Sequence, residues 1–323
     1  MADVVLLFAP SKKVPFYFTN AHVEQIASAC GGKVSRFLSE EELLKSGVQA
    51  EILFTWGGTG DMPVAYCRQN ERLKWFHSFS AGMDPVMRSE IASLPIVISN
   101  SSGIHARIIA ESVMGYILAF NRTFPFMFQK QREHVWGKGL TRDPVEAFGK
   151  TVGIVGAGAI GTAVAKIAKA FDMRTIGLRR NPQPVPCYDE VLRNDQLDNL
   201  LAKSDYVVVS VPLTPETRHM IGEDQLSKMK PGALLVNVAR GGVLDQEALI
   251  RALSAGTIAG AALDVTDPEP LPPDSPLWNM ENVILTPHMS ADAPILSQLA
   301  VDFFCGSLKC YLAGEPVPNQ IGR

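Results

Sequence analysis

The sequence predicts an α/β protein of two doubly wound parallel-sheet domains, one inserted in the other. Short apolar runs alternate with helical patterns along most of the 323 residues, the rhythm of repeated strand-helix-strand units. A glycine-rich turn, Gly156-Ala157-Gly158-Ala159-Ile160-Gly161, follows one such run. Three later runs lead into Arg240, Glu269 and His288. In an open α/β sheet the carboxyl ends of parallel strands converge on one crevice, so residues far apart in sequence meet there.

The first series has strand candidates at 3–9, 33–38, 51–55, 73–79 and 95–99, with helical patterns near 20–29, 40–46, 62–69 and 84–92. That alternation suits a small flavodoxin-like domain. From Ile104 to about Gln131 the pattern becomes one long helical stretch, which Pro125 is expected to kink or divide. A second series follows, with strands at 151–156, 174–178, 206–211, 233–238, 259–264 and 282–286. Six strands in this rhythm suit a complete Rossmann domain. The remaining helix, over 291–312, has no sheet of its own to cover and is expected to return to the first domain. The boundaries expected are a discontinuous substrate domain, 1–101 and 291–323, around a Rossmann NAD(P)-binding domain, 102–290.

Composition narrows the function classes. With 46% hydrophobic and 20% charged residues the chain supports real cores. A net charge of -3, with no basic run longer than Lys12-Lys13 or Arg179-Arg180, gives no general attraction to nucleic acid or anionic membrane. The five cysteines are scattered without a Cys-x-x-Cys pair, which argues against a disulfide framework or a metal site and fits a reduced cytoplasm. The first ten residues read as a buried strand rather than a signal peptide. Small molecules are the expected partners.

Thr-Val-Gly-Ile-Val at 151–155 reads as a buried strand and 162–171 has helical spacing, so the glycines occupy a strand-turn-helix context. Gly156 permits the tight turn, Gly158 lets the backbone approach a pyrophosphate, and Gly161 lets helix pack closely on strand. Ala159 and Ile160 open the helix, whose free N-H groups and dipole favour the anion. NAD-binding proteins place an acid at the end of the second strand, on the ribose hydroxyls. Here that strand ends in Arg179 and Arg180. Guanidinium groups bind phosphate in bidentate fashion, so NADP(H) is expected to be preferred over NAD(H).

The chain resembles the D-isomer-specific 2-hydroxyacid dehydrogenase family, particularly its glyoxylate/hydroxypyruvate reductase branch. The resemblance rests on the fingerprint at 156–161, Val211-Pro212-Leu213-Thr214-Pro215-Glu216-Thr217, Met229-Lys230-Pro231-Gly232 through Arg240-Gly241-Gly242, Leu263-Asp264-Val265 with Pro268-Glu269-Pro270, Thr286-Pro287-His288, and Ser80-Ala81-Gly82-Met83-Asp84. It implies reduction of a small 2-keto acid of the glyoxylate/hydroxypyruvate type to the D-2-hydroxy acid by hydride transfer, and Arg179, standing where the family usually has an acid, makes NADPH the expected donor. It also implies that Arg240 binds the substrate carboxylate and polarises the keto oxygen, that His288 is the acid/base, and that Glu269 pairs with it. Residue chemistry agrees, because hydride addition to a carbonyl needs a proton donor titrating near neutrality.

By the same resemblance Asp264 should hold the nicotinamide carboxamide, and Val211, Pro212, Thr217, Val238, Ala239 and Ser290 should lie along the cofactor. Ser80, Ala81 and Gly82 would offer backbone N-H groups to the substrate carboxylate. Trp56, Gly57 and Gly58 end another strand and are expected in the same cleft. Trp136 is a candidate to reach a partner's site in a homodimer formed through 104–140. His288-Met289-Ser290-Ala291 departs from the glycine-rich continuation of many members, which bears on substrate size more than mechanism. The alternatives are a dehydrogenase for larger or apolar 2-keto acids, since Trp56, Phe79, Met83 and Met289 are apolar, and a dinucleotide-sensing co-repressor-like protein.

Overall fold

A computed structural model describes residues 1–8, 18–57, 62–139 and 143–321. The chain divides into two compact units, Met1–Ile104 with Asp292–Arg323, and His105–Ala291. The first unit is therefore discontinuous, with its later segment entered near residue 292.

In the first unit β1 (Ala2–Leu7), β2 (Gly31–Phe37), β3 (Ile52–Thr55), β4 (Trp75–Ser78) and β5 (Val97–Asn100) form one sheet in the order β2-β1-β3-β4-β5. Every neighbouring pair is parallel. All four residues of β3 and of β4 are buried, as expected of strands covered on both faces. The helix Leu296–Leu312 supplies one cover: Phe304 stacks on Phe54 at 4.3 Å between ring centroids and lies 5.4 Å from Trp75. The helix begins five residues later than the 291 expected. The expected helix at 84–92 is two pieces, Asp84–Arg88 and a 3-10 turn at Glu90–Ser93, broken where Ser89 turns extended and accepts from the Ile91 amide.

The second unit carries β6 (Thr151–Val155), β7 (Arg174–Leu178), β8 (Glu190–Leu192), β9 (Tyr206–Val209), β10 (Leu234–Asn237), β11 (Gly260–Leu263) and β12 (Val283–Leu285). They form one sheet in the order β12-β11-β10-β9-β6-β7-β8. This is the Rossmann order with an added strand at one edge, and the order reverses between β6 and β9. Strand periodicity explains the two covers: Val207 and Val209 face a core with Leu200, Leu226 and Leu249, whereas Tyr206 and Val208 face one with Ile109, Val113 and Val164.

Two further expectations need correction. The second sheet has seven strands, and the one the sequence reading omits is β8, a Glu-Val-Leu segment with only Leu192 buried. Three residues with one apolar face give no periodic signal. The long helical stretch is indeed divided, into Ala106–Asn121 and Phe124–Arg132, but Pro125 is not the cause. The break lies before it, at Thr123 in the left-handed region (φ 57°), and Pro125 sits in the first turn of the second helix, where its missing N-H costs nothing.

Buried His77 illustrates how polar groups survive in the first core. Its Nδ1 lies 2.7 Å from Ser99 Oγ and its Nε2 3.0 Å from Ser101 Oγ. Burial pushes its pKa down to about 3. Below the unfolded value of about 6.5 the unfolded chain takes up a proton that the folded chain refuses, so stability falls as pH falls through that window. The unfolding free energy from urea titrations should drop between pH 6.5 and 5, by roughly 1 kcal/mol per pH unit on account of His77; a profile that His77→Gln leaves unchanged would mean that the folded core accepts the proton.

Candidate active site

The turn after β6 shows why glycines stand there. Gly156 has φ 104°, and a Cβ on it would lie 2.8 Å from Val211 Cγ1. A Cβ on Gly161 would lie 2.4 Å from the Gly156 carbonyl oxygen, so the helix Ala159–Ala170 reaches this strand only with glycine at that position. Beyond Gly158 there is open space, and no side chain caps the helix that it begins. An uncapped helix start facing open space fits a bound pyrophosphate, with the amides of Ala159, Ile160 and Gly161 in its first turn.

At the end of β7 the Arg179 amide donates to the Leu192 carbonyl of β8 at 3.0 Å, and Arg180 is exposed. The loop after β9 brings a carboxylate nearby that sequence spacing did not reveal. Glu216 is held below its usual pKa first by the Thr214 hydroxyl, with the positive charge of Arg180 among the smaller contributions. In the same loop Thr217 Oγ1 donates to the Pro212 carbonyl at 2.6 Å and accepts from the Thr214 amide at 2.8 Å. Thr217 thus holds the loop's shape. Val211 and Pro212 lie at its start, while Val238 and Ala239 are buried after β10.

Arg240 follows β10, Glu269 follows β11 and His288 follows β12, three strands adjacent in the sheet. His288 Nδ1 lies 2.9 Å from Glu269 Oε2. The hydrogen bond that His288 donates to Glu269 raises the His288 pKa above its ordinary value, against burial and the positive charge of Arg240, while Asp264 adds to the rise. Burial works to raise the Glu269 pKa, but the hydrogen bond and charge of His288, with Arg240 further off, hold it below the ordinary value. The three groups therefore sense one another.

One glycine makes this convergence possible. A Cβ on Gly241 would come within 2.0 Å of the Thr266 carbonyl group, so the loop carrying Arg240 meets the loop carrying Glu269 backbone to backbone. The Thr266 amide donates to Glu269 Oε1 at 3.2 Å and fixes the carboxylate's other oxygen.

The buried Asp264, 2% exposed, ends β11 and organises the segment around His288. Its Oδ1 accepts from Thr286 Oγ1 at 2.7 Å and from the Met289 amide at 3.0 Å. The Ser290 amide lies 3.1 Å from Oδ2, and the Asp264 carbonyl accepts from the His288 amide at 2.8 Å. His288 itself adopts φ 53°.

Other expected residues lie in the first unit. The Ser80 amide donates to the Trp56 carbonyl at 3.0 Å, so that N-H is engaged. Half-buried Trp56 lies 4.8 Å from Phe79 and 5.6 Å from Phe8, ring to ring. Gly57 has φ 69°; Gly58 lies outside the described residues. Trp136 belongs to the second unit and is 91% exposed. Among the described residues no group of three or more His, Cys, Asp or Glu is arranged to hold a metal ion, and no helix is long and apolar enough to cross a membrane.

A dinucleotide-type glycine turn at the switch point, with a cation, a carboxylate and an imidazole along the same carboxyl edge, defines an NAD-binding oxidoreductase. The model for the D-isomer specific 2-hydroxyacid dehydrogenase, NAD binding domain, matches residues 114–290. The chain is 36% identical over 265 residues to a glyoxylate reductase of Korarchaeum cryptofilum, covering 78% of this chain and 77% of that protein. It is 35% identical over 290 residues to a D-3-phosphoglycerate dehydrogenase of Methanocaldococcus jannaschii, covering 90% of this chain but 55% of that longer one. Among solved structures, a D-isomer specific 2-hydroxyacid dehydrogenase from Xanthobacter autotrophicus, in complex with NADPH and MES, superposes with a TM-score of 0.81 at 28% identity, covering 100% of this chain and 98% of that one. This chain belongs to the D-isomer specific 2-hydroxyacid dehydrogenase family.

Gly241→Ala should force the two loops apart and cut turnover by about ten- to a hundredfold, because small displacements of reacting groups are costly. The measurement is steady-state turnover beside the melting temperature; wild-type turnover would refute the role of this contact.

Proposed function

We propose that this protein reduces a small 2-keto acid of the glyoxylate or hydroxypyruvate type to the D-2-hydroxy acid, with NADPH preferred over NADH. The observation that carries the reading is the 2.9 Å bond between His288 Nδ1 and Glu269 Oε2 beside Arg240. With Nδ1 committed to Glu269, the proton available for transfer is at Nε2. Arg240 grips the substrate carboxylate with its planar guanidinium and draws electron density toward the keto oxygen. A reduced nicotinamide held along the carboxyl edge of the second sheet would supply the hydride to the carbonyl carbon. His288 Nε2 gives its proton to the oxygen as the C=O double bond becomes a single bond, and Glu269 stabilises the imidazolium before that transfer.

The remaining assignments follow the same reading. The first turn of the helix Ala159–Ala170 holds the pyrophosphate, and Val211, Pro212, Val238, Ala239 and Ser290 line the cofactor's course. Asp264 meets the carboxamide in addition to anchoring the His288 loop. Arg179 and Arg180, at the end of β7, take a 2′-phosphate. The NADPH complex of the Xanthobacter relative supports the preference. With the Ser80 amide engaged by the Trp56 carbonyl, Ala81 and Gly82 are the first unit's candidate backbone donors for a carboxylate. Residues 1–104 and 292–321 serve as the substrate domain, 105–291 as the dinucleotide domain, and the protein acts as a cytoplasmic homodimer through 104–140, the segment that leads to Trp136.

A second reading, a larger or apolar 2-keto acid, is favoured by the aromatic cluster of Phe8, Trp56 and Phe79 following β1, β3 and β4. A steady-state panel of 2-keto acids, run with NADPH and with NADH, tests both. Highest kcat/KM for glyoxylate or hydroxypyruvate with NADPH is expected. Highest values for branched or aromatic acids would favour the second reading, and equal efficiency with NADH would remove the role of Arg179.

The pH dependence gives an independent check. Reduction requires protonated His288, so kcat/KM should be flat below its raised pKa and fall as pH rises through it. Glu269→Gln removes the main cause of the rise, and the fall should begin at lower pH; an unmoved alkaline limb would show that Glu269 does not set it.

A further inference from the structure

Tyr116 lies in the helix Ala106–Asn121, and its hydroxyl is 2.7 Å from Thr286 Oγ1. Thr286 has one hydroxyl hydrogen and gives it to Asp264 Oδ1 at 2.7 Å. Tyr116 must therefore be the donor in its own contact. Burial pushes its pKa up to about 12, so it keeps that hydrogen throughout the working range. One helical turn earlier, Ser112 Oγ donates to the Ser290 carbonyl at 3.0 Å. Residues 286 and 290, on either side of His288, are thus tied to one helix through two separate hydroxyls.

The tie has something to hold. His288 sits at φ 53°, a region that a side chain with a Cβ enters only when its surroundings impose it. The donors that impose it, the amides of Met289 and Ser290 and the Thr286 hydroxyl, all converge on Asp264. Released from the helix, that segment can relax toward ordinary backbone and carry the imidazole away from Glu269.

We propose that Tyr116 and Ser112 are positioning residues for the reaction: acting through Thr286, Asp264 and Ser290, they fix the backbone of His288 so that its imidazole stays bonded to Glu269. The inference rests on the reading of His288 as the acid/base. The charged groups that set His288 protonation are Glu269 and Asp264, which favour it, and Arg240, which opposes it. Loosening the segment weakens the first of these most, because it depends on a short hydrogen bond.

The experiment uses the full-length enzyme with a reducible 2-keto acid and NADPH. Tyr116→Phe keeps the ring that packs in the core and removes only the hydroxyl. It should lower kcat by about three- to tenfold, the worth of one hydrogen bond, leave KM for NADPH nearly unchanged, and move the alkaline limb of kcat/KM to lower pH. Ser112→Ala should do the same to a smaller degree. Thr286→Val should match or exceed Tyr116→Phe, and Thr286→Ser should restore activity and the pH limb to near wild type. An unmoved pH limb in Tyr116→Phe and Thr286→Val overturns the inference, even if their melting temperatures fall. His288→Asn, measured alongside, separates the two claims. If it abolishes turnover while Tyr116→Phe behaves as wild type, the positioning role alone is wrong. If His288→Asn stays active, the acid/base reading falls and the inference with it.

Discussion

A carboxylate buried at the end of β11 needs donors, because an ionised group removed from water without them costs several kcal/mol. Asp264, 2% exposed, finds them in the segment that leaves β12, in one hydroxyl and two backbone amides. Meeting that demand dictates the segment's path. The chain turns sharply beside β11, its His288 amide goes to the Asp264 carbonyl, and His288 is driven into a left-handed conformation. The position of the imidazole is thus a by-product of satisfying a buried charge.

Electrostatics then apportion the protons. Glu269 and His288 hold each other in their charged forms, one below and one above its ordinary pKa, while Arg240 favours the carboxylate and opposes the imidazolium. The opposition tempers the rise that Glu269 imposes on His288, which suits the proposed role of a group that releases its proton during reduction. Gly241 lets this balance exist, since its missing side chain sets how near Arg240 comes to the Glu269 loop.

Much of this was legible in the sequence because it depends on local pattern. Strands buried on both faces read as apolar runs, and the glycine turn after β6 had its strand and helix around it. Arg240, Glu269 and His288 stood at the ends of such runs. β8 was illegible because it is three residues long with one buried side chain. The helix break at Thr123 was illegible because it depends on one backbone conformation rather than on the nearby proline. Tyr116 and Ser112 carry no signal in the sequence, since their partners lie 170 and 178 positions away.

The helix Leu296–Leu312 stacks Phe304 on Phe54 and closes over Trp75, yet it follows every residue of the inserted unit. During synthesis the aromatic centre of the first unit stays uncovered while the whole of 105–291 emerges and folds. For that interval the nascent chain presents Phe54 and Trp75 to whatever apolar surface it meets, chaperones included. A ribosome that stalls before residue 296 leaves behind a finished dinucleotide fold attached to an unfinished one, a marked target for proteolytic clearance.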